Sequence, residues 1–389
     1  MFQNINLKNK KQTLKGYRSM KKINHEQFEK LIKLYYKQKS NDGRKIPLLA
    51  YGTFGVGKSA VVRQTAIELA ESKGKEFIDW NCISKEEKDN IAENPSKYFL
   101  LIDIRLSEFD SSDIKGLPDF KDDNSIVWKI PFWARVLTHP ESDGLLFFDE
   151  INLATPLVIS STYKILYDRI VNESKINDNW LIMGCGNKDD DKAHTHELAA
   201  PVRDRGGEVE LTHPSSEAWI DWAVDNNIDS RIIGFLSWKP SNLHSVDFDD
   251  NQKYTTERGW ERLDTLLKGV KDYKTMELVS GTAIGEGVAR EYVAFCKIKD
   301  SISLDEVLKN PEKLKSVEEI SVKYFLTTAI GENYKTNKVK FEQVMKISEV
   351  FDDMNNVEFV ALLWRLCIRY SPTKFKKDFT SKDLDNPIR

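Results

Sequence analysis

Apolar residues along the first two hundred positions gather in short runs of strand length, set apart by polar stretches and by segments of helical spacing. The runs are Ile46–Tyr51, Tyr98–Ile104, Gly144–Phe148, Trp180–Gly186 and Glu208–Leu211. Between them, 24–38 predicts a helix with Asn24 as its cap and Phe28, Leu31, Ile32 and Tyr35 on one face. Ser59–Ser72 carries Val62, Ala66 and Leu69 at helical spacing and runs into Gly74, a stop signal. Thr155-Pro156 opens a third helix that extends to about Asp168. The segment from Ser107 through Gly116-Leu117-Pro118 to Asn124 fits neither period and is too long for a plain connection, which marks it as functional.

Beyond Pro214 and Ser215-Ser216 the pattern becomes helical throughout. Trp219, Trp222 and Ala223 share one face, and Ile232, Ile233 and Leu236 share another. The tryptophans read as core, not as a stacking platform. Arg258-Gly259-Trp260 opens a helix with Leu263, Leu266 and Leu267, Gly281–Cys296 reads as another, and 322–370 holds two or three more. Ser371–Arg389 reads as a polar, loose tail. The resulting division is a leader at 1–23, a core at 24–213, a helical segment at 214–300 and a helical extension at 301–389. A length of 389 residues suits two or three domains.

Charge removes some classes of function. Charged residues make up 31% of the chain and the formal net charge is −3, so no global basic field advertises nucleic acid. The leader alone is basic: Lys8, Lys10, Lys11, Lys15, Arg18, Lys21 and Lys22 precede every acidic residue. It reads as a solvated leader, with an arm touching an acidic partner or nucleic acid as the alternative. It has no apolar signal-peptide segment, and no run anywhere approaches the ~18 residues of a membrane span. Cys82, Cys185, Cys296 and Cys367 are too scattered for a metal or redox motif and read as reduced, buried thiols of an intracellular, cytoplasmic protein.

The chemistry centres on Gly52-Thr53-Phe54-Gly55-Val56-Gly57-Lys58-Ser59, which fits G-x-x-x-x-G-K-[ST] at every specified position. It sits between a strand and a helix, the context of a phosphate loop. Glycines there turn backbone N–H groups around a β-phosphate, and the helix beginning at Ser59-Ala60 adds its positive end. Lys58 is expected to reach the β- and γ-phosphates, and the Ser59 hydroxyl to take a place on Mg²⁺. The 144–148 strand ends in Asp149-Glu150: Asp149 is expected to hold Mg²⁺ through water, and Glu150 to orient the attacking water. The 180–186 strand delivers Asn187, whose amide can reach the γ-phosphate or that water. Arg203 and Arg205, two residues apart after this series, suggest a phosphate contact. Asp189, Asp190, Asp191, His194 and His196 do not form a metal site, because consecutive acids on an irregular segment lack fixed geometry.

In this order the motifs resemble the AAA+ ATPases, and within them the MoxR-like group of bacteria and their phages. Gly52–Ser59 resembles the Walker A loop, Leu145–Glu150 the Walker B strand and Asn187 sensor 1. The family's Asp-Arg pair falls on Asp204 and Arg205, which makes Arg205 the arginine-finger candidate, and Arg258 resembles the lid arginine called sensor 2. Asp103-Ile104-Arg105-Leu106 and Asp113–Pro118 also look like this group. Two departures stand out. Gly206-Gly207 replaces the usual aromatic, which keeps Arg203 a rival for the finger, and Glu257 replaces the proline before the lid arginine. The resemblance implies an α/β fold with a five-stranded parallel sheet in the order 5-1-4-3-2, an αβα core, a helical lid and a ring of about six subunits. It also implies ATP and Mg²⁺ as ligands, and a protein client, often with a von Willebrand A domain partner. A remodeller of proteins leads. A nucleic-acid motor or loader, a restriction-type GTPase and a low-turnover assembly switch are the competitors, and nucleic acid stays open as a partner.

Overall fold

The computed structural model describes residues 20–38, 45–123, 125–188, 196, 198–199, 203–245, 255–298 and 303–380. The chain forms two compact units, Met1–Phe54 with Lys58–Thr212, and Gly55–Gly57 with His213–Arg389.

In the first unit the strands are β1 (Lys21–Ile23), β2 (Leu48–Tyr51), β3 (Glu76–Asp79), β4 (Tyr98–Arg105), β5 (Leu117–Phe120), β6 (Ile126–Lys129), β7 (Gly144–Asp149), β8 (Ile170–Val171), β9 (Ser174–Lys175), β10 (Trp180–Gly186) and β11 (Gly207–Leu211). Seven of them make one sheet in the order β1-β11-β2-β10-β7-β4-β3, and every recorded pairing in it is parallel. This corrects the expected five-stranded sheet: β1 and β3 add an edge strand on either side. Counted alone, the five inner strands run 5-1-4-3-2.

Parallel strands need both faces covered, because the crossovers lie on both sides. The helices are α1 (His25–Lys37), α2 (Lys58–Ser72), α3 (Lys85–Glu93), α4 (Ser111–Lys115), α5 (Phe132–Arg135) and α6 (Pro156–Tyr163). Side chains alternate across a strand. Leu100, Ile102 and Ile104 of β4, with Leu146 and Phe148 of β7, pack in one cluster with Val158 and Ile159 of α6. The interleaved Phe99, Leu101, Leu145 and Phe147 are equally buried, on the face to which α2 contributes Val62, Ala66 and Leu69. Each such side chain is worth about 1.5–3 kcal/mol when buried, so β4 and β7 with the helices packed on them anchor the unit.

Local signals explain the helix ends. Asn24 accepts from Gln27 N while the Gln27 side chain accepts from Asn24 N, a capping box that starts α1 as expected. The buried tyrosine of α1 is Tyr36, not Tyr35; its hydroxyl donates to Asp143. After α6 the chain continues through a π-type turn at Lys164–Asp168.

The second unit is helical: α7 (Ser216–Asp225), α8 (Ser230–Trp238), α9 (Glu257–Leu267), α10 (Tyr273–Ile284), α11 (Glu286–Lys297), α12 (Leu304–Lys309), α13 (Ile320–Lys335), α14 (Phe341–Asp353), α15 (Val357–Tyr370) and α16 (Pro372–Thr380). One cluster gathers Phe235, Trp260, Tyr292 and Phe295, and a second gathers Tyr334, Phe341, Phe351 and Phe375. α13 serves both, with Phe325 in the first and Leu326 in the second. Gly331 is needed there, since a Cβ would lie 2.9 Å from that of Leu366. Part of the expected loose tail is α16; 381–389 lie outside the described residues, as do the leader up to 19, Asp189–Asp191 and His194. Cys185, Cys296 and Cys367 are buried, but Cys82 is exposed, which corrects its reading as a core thiol. No described helix is long and apolar enough to cross a membrane.

Candidate functional site

The carboxyl ends of the inner parallel strands bring Lys58, Ser59, Asp149, Glu150 and Asn187 to one edge, whereas Arg203 and Arg205 precede the amino end of β11. β2 leads into the glycine loop, β7 ends at Asp149, β10 ends just before Asn187 and β4 ends at Arg105. Adjacent strands in parallel register lie about 4.8 Å apart, so groups on successive strand ends can meet one ligand.

The loop from Gly52 to Gly57 joins β2 to α2, and Gly55 (φ 77°) and Gly57 (φ 91°) take left-handed backbone that favours glycine. Lys58 is the first residue of α2 and is 8% exposed. Its ammonium donates to Gly52 O at 2.6 Å, Thr53 O at 3.1 Å and the Asn187 side-chain oxygen at 3.2 Å. Lysine and asparagine thus meet directly. Ser59 Oγ donates to Asp149 Oδ2 at 2.8 Å. A hydroxyl and a carboxylate one hydrogen bond apart are the oxygen donors a hard cation takes, so Ser59 and Asp149 fit Mg²⁺.

Glu150 has φ 54°, left-handed backbone for a residue with a side chain. Such a conformation costs on the order of 1–3 kcal/mol and persists where surrounding contacts impose it. Here they do. Glu150 N donates to Asp149 Oδ1 at 2.9 Å, Leu153 N donates to Glu150 O at 2.9 Å, and Ile151 N donates to Cys185 O at 2.8 Å. The Glu150 carboxylate accepts from Ser107 Oγ on Oε2, and Arg105 Nε lies 3.8 Å from Oε1. Asn187 is held as firmly: its N–H donates to Asn152 Oδ1 at 2.9 Å while Asn152 Nδ2 donates to Asn187 O at 2.7 Å. The fit is close, because a Cβ on Gly186 would sit 2.6 Å from Asn152 Oδ1.

Sequence reasoning missed Asn152 and Ser107 as members of this edge. Asn152 had a faint signal, three residues past Asp149. Ser107 had none beyond opening the irregular segment. Asp103 was noted only as part of a family-like string. Burial, with the Asp149 carboxylate next, pushes its carboxyl up to about 7 from an ordinary 3.8. A group so shifted opposes folding when ionised: the cost is full above about pH 7 and vanishes below about pH 4, where both states bind the proton. Asp103→Asn is therefore expected to be more stable than the wild type at pH 8, by on the order of 2 kcal/mol after solvent screening. The gain should fade as pH falls from 7 towards 4. Thermal melts across that range check it, and a pH-independent difference would reject the electrostatic cause.

The two arginines differ. Arg203 is committed, with Nε 2.7 Å from Glu208 Oε1 and its Nη2 3.2 Å from Oε2, a two-pronged pair on a largely buried carboxylate. Asp204 and Arg205 are exposed, and no ion pair of Arg205 is recorded among the described residues. Arg258 is exposed in the first turn of α9, in the second unit.

The irregular segment contains α4, Gly116 and β5, and β5 pairs with β6 just beyond it to form a hairpin. Gly116 has φ 81°, and a Cβ on it would lie 2.0 Å from Lys129 O. The hairpin leaves Leu117, Phe120, Ile126, Val127 and Trp128 between 40% and 75% exposed. Asp119 pairs with both Lys121 (2.7 Å) and Lys129 (3.3 Å).

No family model matches the sequence, and no curated protein matches it. Among solved structures, the chain is similar to one from the E. coli MS115-1 HORMA:CdnC:Trip13 complex, with 13% identity and a TM-score of 0.36 over 69% of this chain and 86% of that one. It is similar to the Aeropyrum pernix ORC1 protein in complex with DNA, with 12% identity and a TM-score of 0.35 over 91% and 93%. It is also similar to the Thermotoga maritima RuvB Holliday junction branch migration motor, with 14% identity and a TM-score of 0.28 over 84% and 88%. Likeness at this level assigns no activity to this chain.

Proposed function

We propose that this protein is an AAA+ ATPase of the MoxR-like group that hydrolyses ATP to remodel protein complexes. The observation that carries the reading is the junction at one sheet edge of Lys58, Ser59 with Asp149, Glu150 under its Ser107 contact, and Asn187. In this reading the backbone of Gly52, Thr53, Phe54, Gly55, Val56 and Gly57, with the N-terminus of α2 at Lys58, Ser59 and Ala60, cradles the phosphates. Ser59 and Asp149 would hold Mg²⁺, which would supply positive charge beside the phosphates. Lys58 exchanges its backbone acceptors for phosphate oxygens, Asn187 orients the γ-phosphate, and Glu150 polarises the attacking water. Arg205 serves the nucleotide of a neighbouring subunit in a ring of about six, and Arg258 serves as the lid arginine. The core at 24–213, the lid at 214–300 and the extension at 301–389 belong to the same proposal.

A protein client, alone or through a von Willebrand A domain partner, suits the β5–β6 hairpin better than nucleic acid does. Its exposed side chains are apolar and aromatic, and both of its lysines are paired with Asp119. Binding a phosphate backbone needs cations free to displace counterions.

The test is Lys58→Ala. Contacts from a charged donor are worth about 1.5–3 kcal/mol each, and two of them make up roughly a 100-fold loss of ATP affinity or more. Calorimetric titration of ATP measures it, with circular dichroism as the control for folding. A folded variant that binds ATP like the wild type would refute the phosphate-loop assignment.

A further inference from the structure

His213, His244 and Glu257 meet in the second unit and take no part in the chemistry above. His213 is the second residue after β11, His244 lies between α8 and α9, and Glu257 is the first residue of α9. His213 Nδ1 lies 2.9 Å from Glu257 Oε1 and His244 Nδ1 lies 3.3 Å from Oε2. The two imidazole rings lie tilted at 31° to each other with centroids 3.5 Å apart. One ligand atom from each of the three side chains falls within 4.8 Å of the others.

Glu257 is 7% exposed, and among the described residues its recorded ion-pair partners are these two histidines, with no lysine or arginine. A buried carboxylate without a fixed cation is costly unless a positive group or a metal compensates it. We propose that His213, His244 and Glu257 bind a divalent transition-metal ion of the zinc class. Two bonds of about 2.1 Å at a tetrahedral angle hold ligand atoms roughly 3.4 Å apart, and the observed nitrogen–oxygen separations of 2.9 and 3.3 Å lie close to that spacing. Two imidazoles and one carboxylate select zinc-class ions over Mg²⁺ and Ca²⁺, which take oxygen ligands. The side chains of His213 and His244 are 29% and 20% exposed, so an ion can enter and water can fill the fourth position. Bound there, the ion ties three segments of the helical unit together at the start of α9.

The experiment titrates Zn²⁺ into the full chain, stripped by chelator and kept in excess Mg²⁺ and ADP so that the nucleotide edge is occupied. One zinc per chain and a raised melting temperature are expected. His213→Ala and His244→Ala should each weaken zinc by more than the ~10–100-fold that losing an outer hydrogen-bond partner costs. His196→Ala, which alters an exposed histidine outside the cluster, should leave zinc binding unchanged. Glu257→Gln keeps the shape but not the charge and guards against unfolding of the alanine variants; it should also lose zinc. Absence of zinc binding by the wild type, or wild-type affinity in folded Glu257→Gln, overturns the proposal and leaves the carboxylate as a hydrogen-bond acceptor for two imidazoles.

Discussion

Glu150→Gln is expected to bind ATP as the wild type does and to hydrolyse it ~10²–10⁴-fold more slowly, the usual cost of losing a positioned general base. Glutamine occupies the same volume and keeps an oxygen that accepts from Ser107 Oγ. The left-handed backbone at position 150 is held by Leu153 N on residue 150 O and Ile151 N on Cys185 O, which do not involve the side chain. The substitution therefore removes the carboxylate charge and little else. Binding should survive, because the bonds from Lys58 to Gly52 O and from Ser59 to Asp149 involve no Glu150 side-chain atom. Single-turnover hydrolysis with equilibrium ATP binding on the same sample separates the two steps. Turnover near that of the wild type would show that Glu150 does not activate water. If the step is lost, the ATP-bound state persists, and a pull-down with this variant is the direct way to identify the client.

The inner strands and the glycine loop between β2 and α2 were legible because their signals are local. β4, β7 and β10 are buried on both faces, so their apolar runs are long, that of β4 interrupted only by Asp103 before Ile104. The loop's conformation is written in residue types that recur for steric reasons: glycines at φ 77° and 91°, then lysine and serine opening a helix. The edge strands were not legible. β1 is Lys-Lys-Ile with only Ile23 buried, and β3 is Glu-Phe-Ile-Asp with no residue fully buried. An edge strand with one partner need not be apolar on either face, so neither period nor composition marks it. The site shows the same division. Lys58, Ser59, Asp149 and Asn187 sit at fixed distances from their motifs, whereas Ser107 meets Glu150 across 43 positions of sequence and Asn152 meets Asn187 across 35. Such pairs exist only once the sheet has set β4 beside β7 and β7 beside β10. Likewise His213, His244 and Glu257 are unremarkable apart; Glu257 drew notice only as a replaced proline, and their association is purely tertiary.

Arg205→Ala is expected to bind ATP normally and to lose ~10³–10⁵ in hydrolysis, the range for arginine fingers. Sequence left Arg203 and Arg205 as rivals, and the geometry bears on the choice. Withdrawing Arg203 from Glu208 would leave a carboxylate whose side chain is only 10% exposed without its two-pronged partner. Breaking such a pair is costly, since the remaining charge keeps its desolvation penalty. Arg205 is exposed and among the described residues has no recorded ion pair, so its guanidinium can reach outward to a second molecule at little conformational cost. A finger supplied by a neighbour predicts complementation. Arg205→Ala retains an intact ATP site, and Lys58→Ala retains an intact finger, so mixing the two inactive variants should restore part of the turnover. Restoration should follow the mixing ratio and disappear on dilution below the assembly concentration. Arg203→Ala serves as the control and should keep most of its turnover while melting at a lower temperature. Rescue obtained with Arg203→Ala in place of Arg205→Ala would move the finger by two residues, and mixed assemblies without rescue by either would sink the trans mechanism.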